Sequence, residues 1–281
     1  MRTPPPSLAV TGATGRLGGR VARRLAGSGI PQLLVVRDPA RAPDLPGAEV
    51  AAASYGDGEA ARQALDGTET VFMVSGAERP DRVAEHVSFV DAAVAAGVRH
   101  LVYVSFYGAA PDATFTLARD HWATEQHIAA SGLAYTFLRD NLYLDFLRSL
   151  AGEDGVIRGP AGDGRVAAVA QDDIADVAAA VLRDPNAHAG RRYDLTGPEA
   201  PTLTEVAATI ARVTGRQVSY HPETVEEAYR SRARYGAPDW QLDAWVSTYT
   251  AIAAGELTTV TDHVTRVAGH PPRSLADLLR R

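Results

Sequence analysis

The stretch Leu8-Ala9-Val10-Thr11-Gly12-Ala13-Thr14-Gly15-Arg16-Leu17-Gly18 decides how the rest of the chain is read. A short apolar run meets a glycine-rich turn, and the turn opens into Gly19-Arg20-Val21-Ala22-Arg23-Arg24-Leu25. Leu17, Val21 and Leu25 recur every four residues there, which is one face of a helix. Gly12, Gly15 and Gly18 stand in the spacing GxxGxxG. Glycine lets such a turn bend tightly and bring its backbone against a pyrophosphate. The amide groups and positive dipole end of the following helix then hold the charge. A glycine triplet between a strand and a helix, at the start of an alternating pattern, is the context in which this spacing marks a dinucleotide site. Gly12, Thr14, Gly15, Arg16, Leu17 and Gly18 are the expected cofactor contacts.

A second buried strand, 32–36, runs directly into Arg37-Asp38-Pro39. This lies about twenty residues past the glycines, where a dinucleotide fold reads the ribose. A carboxylate there would bond both ribose hydroxyls and repel a 2′-phosphate, whereas Arg37 attracts that phosphate. The position argues for NADP over NAD, with Asp38 one residue on as the competing reader.

Segments 48–52 and 70–74 read as the third and fourth strands. The fourth closes on Ser75-Gly76, small residues that suit close approach of a nicotinamide ribose. Val83, Val87, Val90 and Val94 predict the apolar face of a helix that Gly97 ends. A fifth strand, 100–104, closes on Ser105-Phe106-Tyr107-Gly108. Residues 117–131 read as a helix, and strand 135–139 leads into Asp140-Asn141-Leu142-Tyr143. The alternation indicates an α/β fold with a Rossmann-type, doubly wound parallel sheet. Ligands of such sheets lie beyond the carboxyl ends of the strands. Gly12 to Gly18, Arg37, Ser75 and Ser105 all fall at those ends. Further on, residues 151–165 read as a glycine-rich loop, and Asp172 or Asp173 as the cap of a helix. Thr202 and Glu205 form a capping box for a helix stopped at Gly215. The remainder reads as mainly helical.

Composition narrows the function classes. The 281 residues allow one large domain, or a large one with a small companion. A formal charge of -6 without a basic block argues against nucleic acid as a partner. With no cysteine, disulfides, thiolate catalysis and cysteine-held metals are excluded. All 28 basic residues are arginine, so Schiff-base chemistry and any lysine-dependent proton relay are excluded too. Met1 to Ser7, with three consecutive prolines, does not read as a signal peptide. No apolar run approaches the ~20 residues of a membrane span. A cytoplasmic chain without a membrane partner is the expectation.

Thr11 to Gly18, Val36-Arg37-Asp38, His121-Trp122-Ala123-Thr124-Glu125 and Tyr135-Thr136-Phe137-Leu138-Arg139 together resemble the NmrA-like atypical short-chain dehydrogenases. The likeness is greatest to their quinone-reducing and triphenylmethane-dye-reducing members. The resemblance implies a Rossmann domain over 1–198, with 140–165 contributing to the substrate side, and a small, mainly helical substrate domain over 199–281. It also implies NADP(H) as cofactor, a quinone-like or dye-like acceptor, and a monomer or homodimer. Most short-chain dehydrogenases carry a Tyr-x-x-x-Lys pair on the helix at 117–131. Aligned on Glu125, the lysine place falls on His121 and the tyrosine place on Leu117, so neither is kept. Ser54 stands where the family often has an acidic adenine contact.

Several side chains are candidates for the remaining roles. His121 could bond the nicotinamide ribose in place of lysine or supply a proton near neutral pH. It could equally be a buried histidine that orients its helix. His127 lies off the same face, which argues against a metal pair. Tyr107 and Tyr143 follow strands on the ligand edge and could bond a substrate oxygen, with Asn141 beside Tyr143 as a further substrate contact. Phe106 and Trp122 could stack on a flat acceptor or pack in the core. Hydride addition to a quinone yields an aromatic phenolate that solvent can protonate, whereas an isolated ketone yields an alkoxide that needs a placed acid. NADPH-dependent transfer to a conjugated aromatic acceptor, driven by orientation, is therefore the leading expectation. The alternatives are a tailoring reductase, isomerase or cyclase acting on a polyketide-like aromatic, and a non-catalytic NADP(H)-binding redox sensor.

Overall fold

Strand β1 (Leu8–Thr11) is buried at every position, as a central strand of a parallel sheet is. The computed structural model describes residues 6–280. From β1 the chain runs through α1 (Arg16–Gly27), β2 (Gln32–Val36), β3 (Ala48–Ala52), α2 (Gly58–Ala64), β4 (Thr70–Met73), α3 (Arg82–Ala95) and β5 (His100–Phe106). It continues through α4 (Thr116–Ala130), β6 (Ala134–Asp140), α5 (Leu144–Leu147), β7 (Val156–Gly159), α6 (Gln171–Arg183) and β8 (Arg191–Leu195). The last part holds α7 (Leu203–Thr214), β9 (Ser219–Pro222), α8 (Val225–Ala233), α9 (Asp239–Ala253), α10 (His263–Ala268) and α11 (Leu275–Leu279).

The expected doubly wound sheet is present: seven strands in the order β3-β2-β1-β4-β5-β6-β8. Pairs β1–β2, β2–β3, β1–β4 and β4–β5 are all parallel. The order reverses between β1 and β4, which makes the carboxyl ends of these two strands the topological switch point. No helix among the described residues is long and apolar enough to cross a membrane.

The chain divides into two compact units, one of residues 1–105, 121–139 and 174–193, the other of 106–120, 140–173 and 194–281. The first unit's core joins Ala9, Leu33, Val71, Phe89, Leu101 and Ile128. The second has its own core, with Phe106, Leu144, Ile157, Val206, Ile252 and Leu275 among its members. The division thus interleaves along the chain, where the sequence reading places one boundary between 198 and 199.

Three local expectations need correction. The buried face of α3 carries Arg82, His86, Phe89, Val90, Ala92 and Ala93, so Val90 alone of the valine row is buried, and Val94 is 41% exposed. Two polar side chains occupy the inner face there, so apolar periodicity rotates the helix wrongly. Helix α6 begins at Gln171, which puts Asp172 and Asp173 in its first turn rather than at its cap. The 151–165 segment is not all loop, because β7 lies within it and pairs in parallel with β9. The chain after 215 accordingly contains a strand among its helices. The Thr202–Glu205 capping box on α7 is as expected, with Gly215 left-handed at φ 72°.

Candidate active site

The turn between β1 and α1 is built by its glycines. Gly12 sits at φ +65°, in the left-handed region, and a Cβ there would also stand 3.1 Å from the Val74 Cβ. Its carbonyl accepts the Gly15 N–H at 2.9 Å. Gly15 is the N-cap of α1, which has no side-chain cap bond and no acidic residue in its first turn. Helices ordinarily satisfy their first N–H groups with such a cap. A Cβ on Gly18 would meet the Gly12 oxygen at 2.3 Å, so α1 packs against the turn as only glycine permits. Thr14, Gly15 and Arg16 are exposed, whereas Leu17 and Gly18 are buried. The uncapped amide end, the close glycine contact and Arg16 beside them fit a pyrophosphate.

A hydroxyl network ties the two strands at the switch point. Val74 N–H donates to Thr11 Oγ1 at 2.9 Å. Tyr55 Oη lies 2.5 Å from Thr11 Oγ1 and donates to the Val74 carbonyl at 2.5 Å. Burial holds the Tyr55 phenol above its ordinary range, with the Thr11 bond opposing it. The sequence reading missed Tyr55. Its neighbour Ser54 is half-buried.

Arg37 follows the last residue of β2 and is exposed. Asp38, its rival as ribose reader, instead caps the short 3₁₀ turn Pro39–Arg41 by accepting the Ala40 N–H at 3.1 Å. The capping bond turns the carboxylate to a local task and leaves the arginine as the cation at this strand end.

Ser75 and Gly76, both half-buried, follow β4. Gly76 is held at both its polar groups by α3: its N–H donates to His86 Nε2 at 2.8 Å, and Arg82 Nε donates to its carbonyl at 3.0 Å. A backbone N–H can only donate, so His86 carries its proton on Nδ1 and donates it to Thr124 Oγ1 at 2.9 Å. Burial, with the Arg82 charge beside it, holds His86 down at about 3. By the same reasoning His121 Nε2 accepts from Arg82 at 2.9 Å, and its Nδ1–H donates to Tyr103 at 3.0 Å. Burial first, and then the electrostatic influence of Arg82, His86 and Arg139, holds the His121 pKa well below 6.5. His121 is thus a neutral, buried link between α3, α4 and β5. This setting favours the helix-orienting reading over the proton-donor one. Trp122, next on α4, is half-buried.

Ser105 is buried, and its hydroxyl donates to Glu125 at 2.6 Å. Arg139 grips the same carboxylate through Nε at 2.8 Å and Nη2 at 2.5 Å. Ser105 therefore belongs to a buried ion-pair cluster. The family motifs contain Glu125 and Arg139, but nothing local in the sequence pairs them.

The remaining candidates lie in the second unit. Phe106 is buried against Phe115 with ring centroids 4.8 Å apart, which makes it core rather than an open stacking face. Tyr107 is half-buried and its N–H donates to the Asp140 carbonyl at 2.9 Å. Both ends of the Asn141 amide are engaged: Nδ2 donates to the Leu257 carbonyl at 3.1 Å and Oδ1 accepts the Leu142 N–H at 2.7 Å. Asn141 fastens the chain after β6 through these two bonds. Tyr143 is half-buried and donates to Asp140 Oδ2 at 3.3 Å. Asp140 is 1% exposed, and its Oδ1 has no partner among the described residues. Burial pushes its carboxyl well above the usual range, the Tyr143 bond opposing.

Comparison with known proteins places these features in a family. The model of the NmrA-like family matches residues 6–237. Quinone oxidoreductase 2 of Escherichia coli is 35% identical over 278 residues, covering 96% of each chain. The crystal structure of that enzyme with NADPH has a TM-score of 0.89 at 34% identity, over 97% of this chain and 98% of that one. NAD(P)H azoreductase of Xenophilus azovorans is 33% identical over 96% of each chain. Triphenylmethane reductase of Citrobacter sp., crystallised with NADP(H), has a TM-score of 0.87 at 31% identity, over 98% of this chain and 99% of that one.

Proposed function

The chain belongs to the NmrA-like family and is an NAD(P)H-dependent oxidoreductase, and we propose that it reduces quinones or related conjugated aromatic acceptors without a Tyr–Lys relay. NADP(H) is its cofactor. The observation that carries the reading is the uncapped N-terminus of α1 over the Gly12–Gly18 contact, in a chain that has Arg37 after β2 and no lysine at all. When bound, the cofactor supplies the hydride. The first turn of α1 holds the pyrophosphate, and Arg37 holds the 2′-phosphate by charge-assisted hydrogen bonds. Arg82 and His86 fix the Gly76 peptide from both sides, which keeps the backbone after β4 in one conformation for the nicotinamide ribose. His121 acts in this reading as a positioning residue, through Arg82 and Tyr103. Orientation of two flat rings then carries most of the rate.

Purified protein should oxidise NADPH in the presence of simple benzoquinones and naphthoquinones, with cationic triphenylmethane dyes as a second acceptor class. Tight NADPH binding with no turnover across such a panel would remove the enzyme reading and favour a cofactor sensor.

A further inference from the structure

Asp140 is the last residue of β6, and Tyr143 stands three residues on, at the N-cap of α5. Carboxyl ends of strands in a doubly wound sheet are where ligands are met. One oxygen of the Asp140 carboxyl bonds the Tyr143 hydroxyl, and the other is buried without a partner among the described residues. An ionised carboxylate so placed is costly, because each buried acceptor left unpaired forfeits its hydration. In the neighbouring segments, Tyr107 N–H donates to the Asp140 carbonyl, and Asn141 N–H donates to the Leu195 carbonyl. Burial acts first on the acid, and the Tyr143 hydroxyl opposes it.

We propose that Tyr143 and Asp140 form a two-residue proton relay, the tyrosine hydroxyl giving its proton to the reduced acceptor and the Asp140 carboxyl replacing it. The inference rests on the quinone reading above. Hydride from the reduced nicotinamide carries two electrons to the quinone and leaves one negative charge on a quinol oxygen. The Tyr143 hydroxyl, which donates to Asp140 Oδ2 at rest, turns to the quinol oxygen, and its O–H bond breaks as the quinol O–H bond forms. The Asp140 O–H bond breaks as the tyrosine hydroxyl is restored, and the aspartate regains a proton from solvent before the next turnover. Asp140 acts through Tyr143 and is a positioning and proton-holding residue, whereas Tyr143 touches the acceptor. A cationic triphenylmethane dye becomes neutral on accepting hydride and needs no proton, so it bypasses the relay.

The test compares the wild-type chain with D140N and Y143F, using 1,4-naphthoquinone and a cationic triphenylmethane dye, each with NADPH. The expected result is a fall in the quinone-to-dye ratio of kcat of about tenfold or more in both variants, below the usual general-acid range because solvent also protonates the phenolate. In the wild type, quinone kcat should also fall with rising pH through one ionisation that D140N lacks. Asparagine cannot ionise, so D140N should melt no lower than wild type at pH 8, and it controls for folding. An unchanged ratio, or an equal loss with both acceptors, would overturn the relay. A wild-type chain that reduces neither acceptor would instead overturn the quinone reading and the relay with it.

Discussion

Gly18 packs so closely on Gly12 that a Cβ at Gly18 would lie 2.3 Å from the Gly12 oxygen and 2.5 Å from its carbonyl carbon. Both atoms are backbone of the turn between β1 and α1, and they cannot swing aside as a side-chain tip can. G18A should therefore destabilise the chain by about 1–3 kcal/mol and weaken NADPH binding by at least about tenfold. Gly27, at the other end of α1, would meet nothing within 4 Å. G27A should be neutral or stabilising by up to about 1 kcal/mol. Melting temperature and a fluorescence titration with NADPH check both. Equal behaviour of the two variants would show that the close approach is not what the turn requires.

Arg37 is exposed after β2, and Asp38 is occupied as a cap. R37A should weaken NADPH by about tenfold or more, the value of a lost charge-assisted phosphate contact, and leave NADH nearly unchanged. Dissociation constants for the two cofactors decide this directly, and equal losses would remove Arg37 as the phosphate reader.

His86 links acid stability to the Gly76 contact. Its pKa is depressed from 6.5 to about 3, so between those values the unfolded chain binds a proton that the folded chain does not. Stability is then fully present above pH 6.5 and is lost as pH falls, by about 1.4 kcal/mol per unit for this group. His121 acts in the same direction. Asp140, raised, acts in the opposite one, because the folded state keeps a proton that the unfolded state has released. The informative quantity is therefore the difference between wild type and H86Q. Urea midpoints at pH 7.5 and 5.0 should show a smaller acid loss in the variant, by about 2 kcal/mol.

The Glu125–Arg139 pair is buried, with side-chain exposures of 3% and 11%. R139L removes one partner and leaves a buried carboxylate, which should cost about 3–5 kcal/mol. S105A takes one hydrogen bond from a carboxylate that Arg139 still grips and should cost about 1 kcal/mol. Chemical denaturation of the two variants measures both, and similar losses would contradict the assignment of Ser105 as a minor member of the cluster.

The features legible in the sequence are those whose causes act over a few residues. The GxxGxxG turn, the capping box at Thr202 and the glycine stops need only neighbours along the chain. The alternation of buried strands and helices then follows from periodicity, and the doubly wound sheet from the alternation. The α3 face was misread for a physical reason. Arg82 and His86 count as polar in any periodic pattern, yet they are buried because Gly76, Thr124 and His121 supply their hydrogen bonds. His121 is 39 residues from Arg82, and Thr124 is 38 from His86.

The sequence by itself determined the sheet, the glycine turn between β1 and α1, the arginine after β2 and the absence of any lysine for a proton relay. Tertiary structure decided what the polar residues do. It assigned Ser105 to an ion-pair cluster, Asn141 to backbone fastening, Phe106 to the core and His121 to a neutral network, and it left one Asp140 oxygen buried without a partner. A polar side chain is set by burial and by which donors surround it, and those come from segments far apart in the chain.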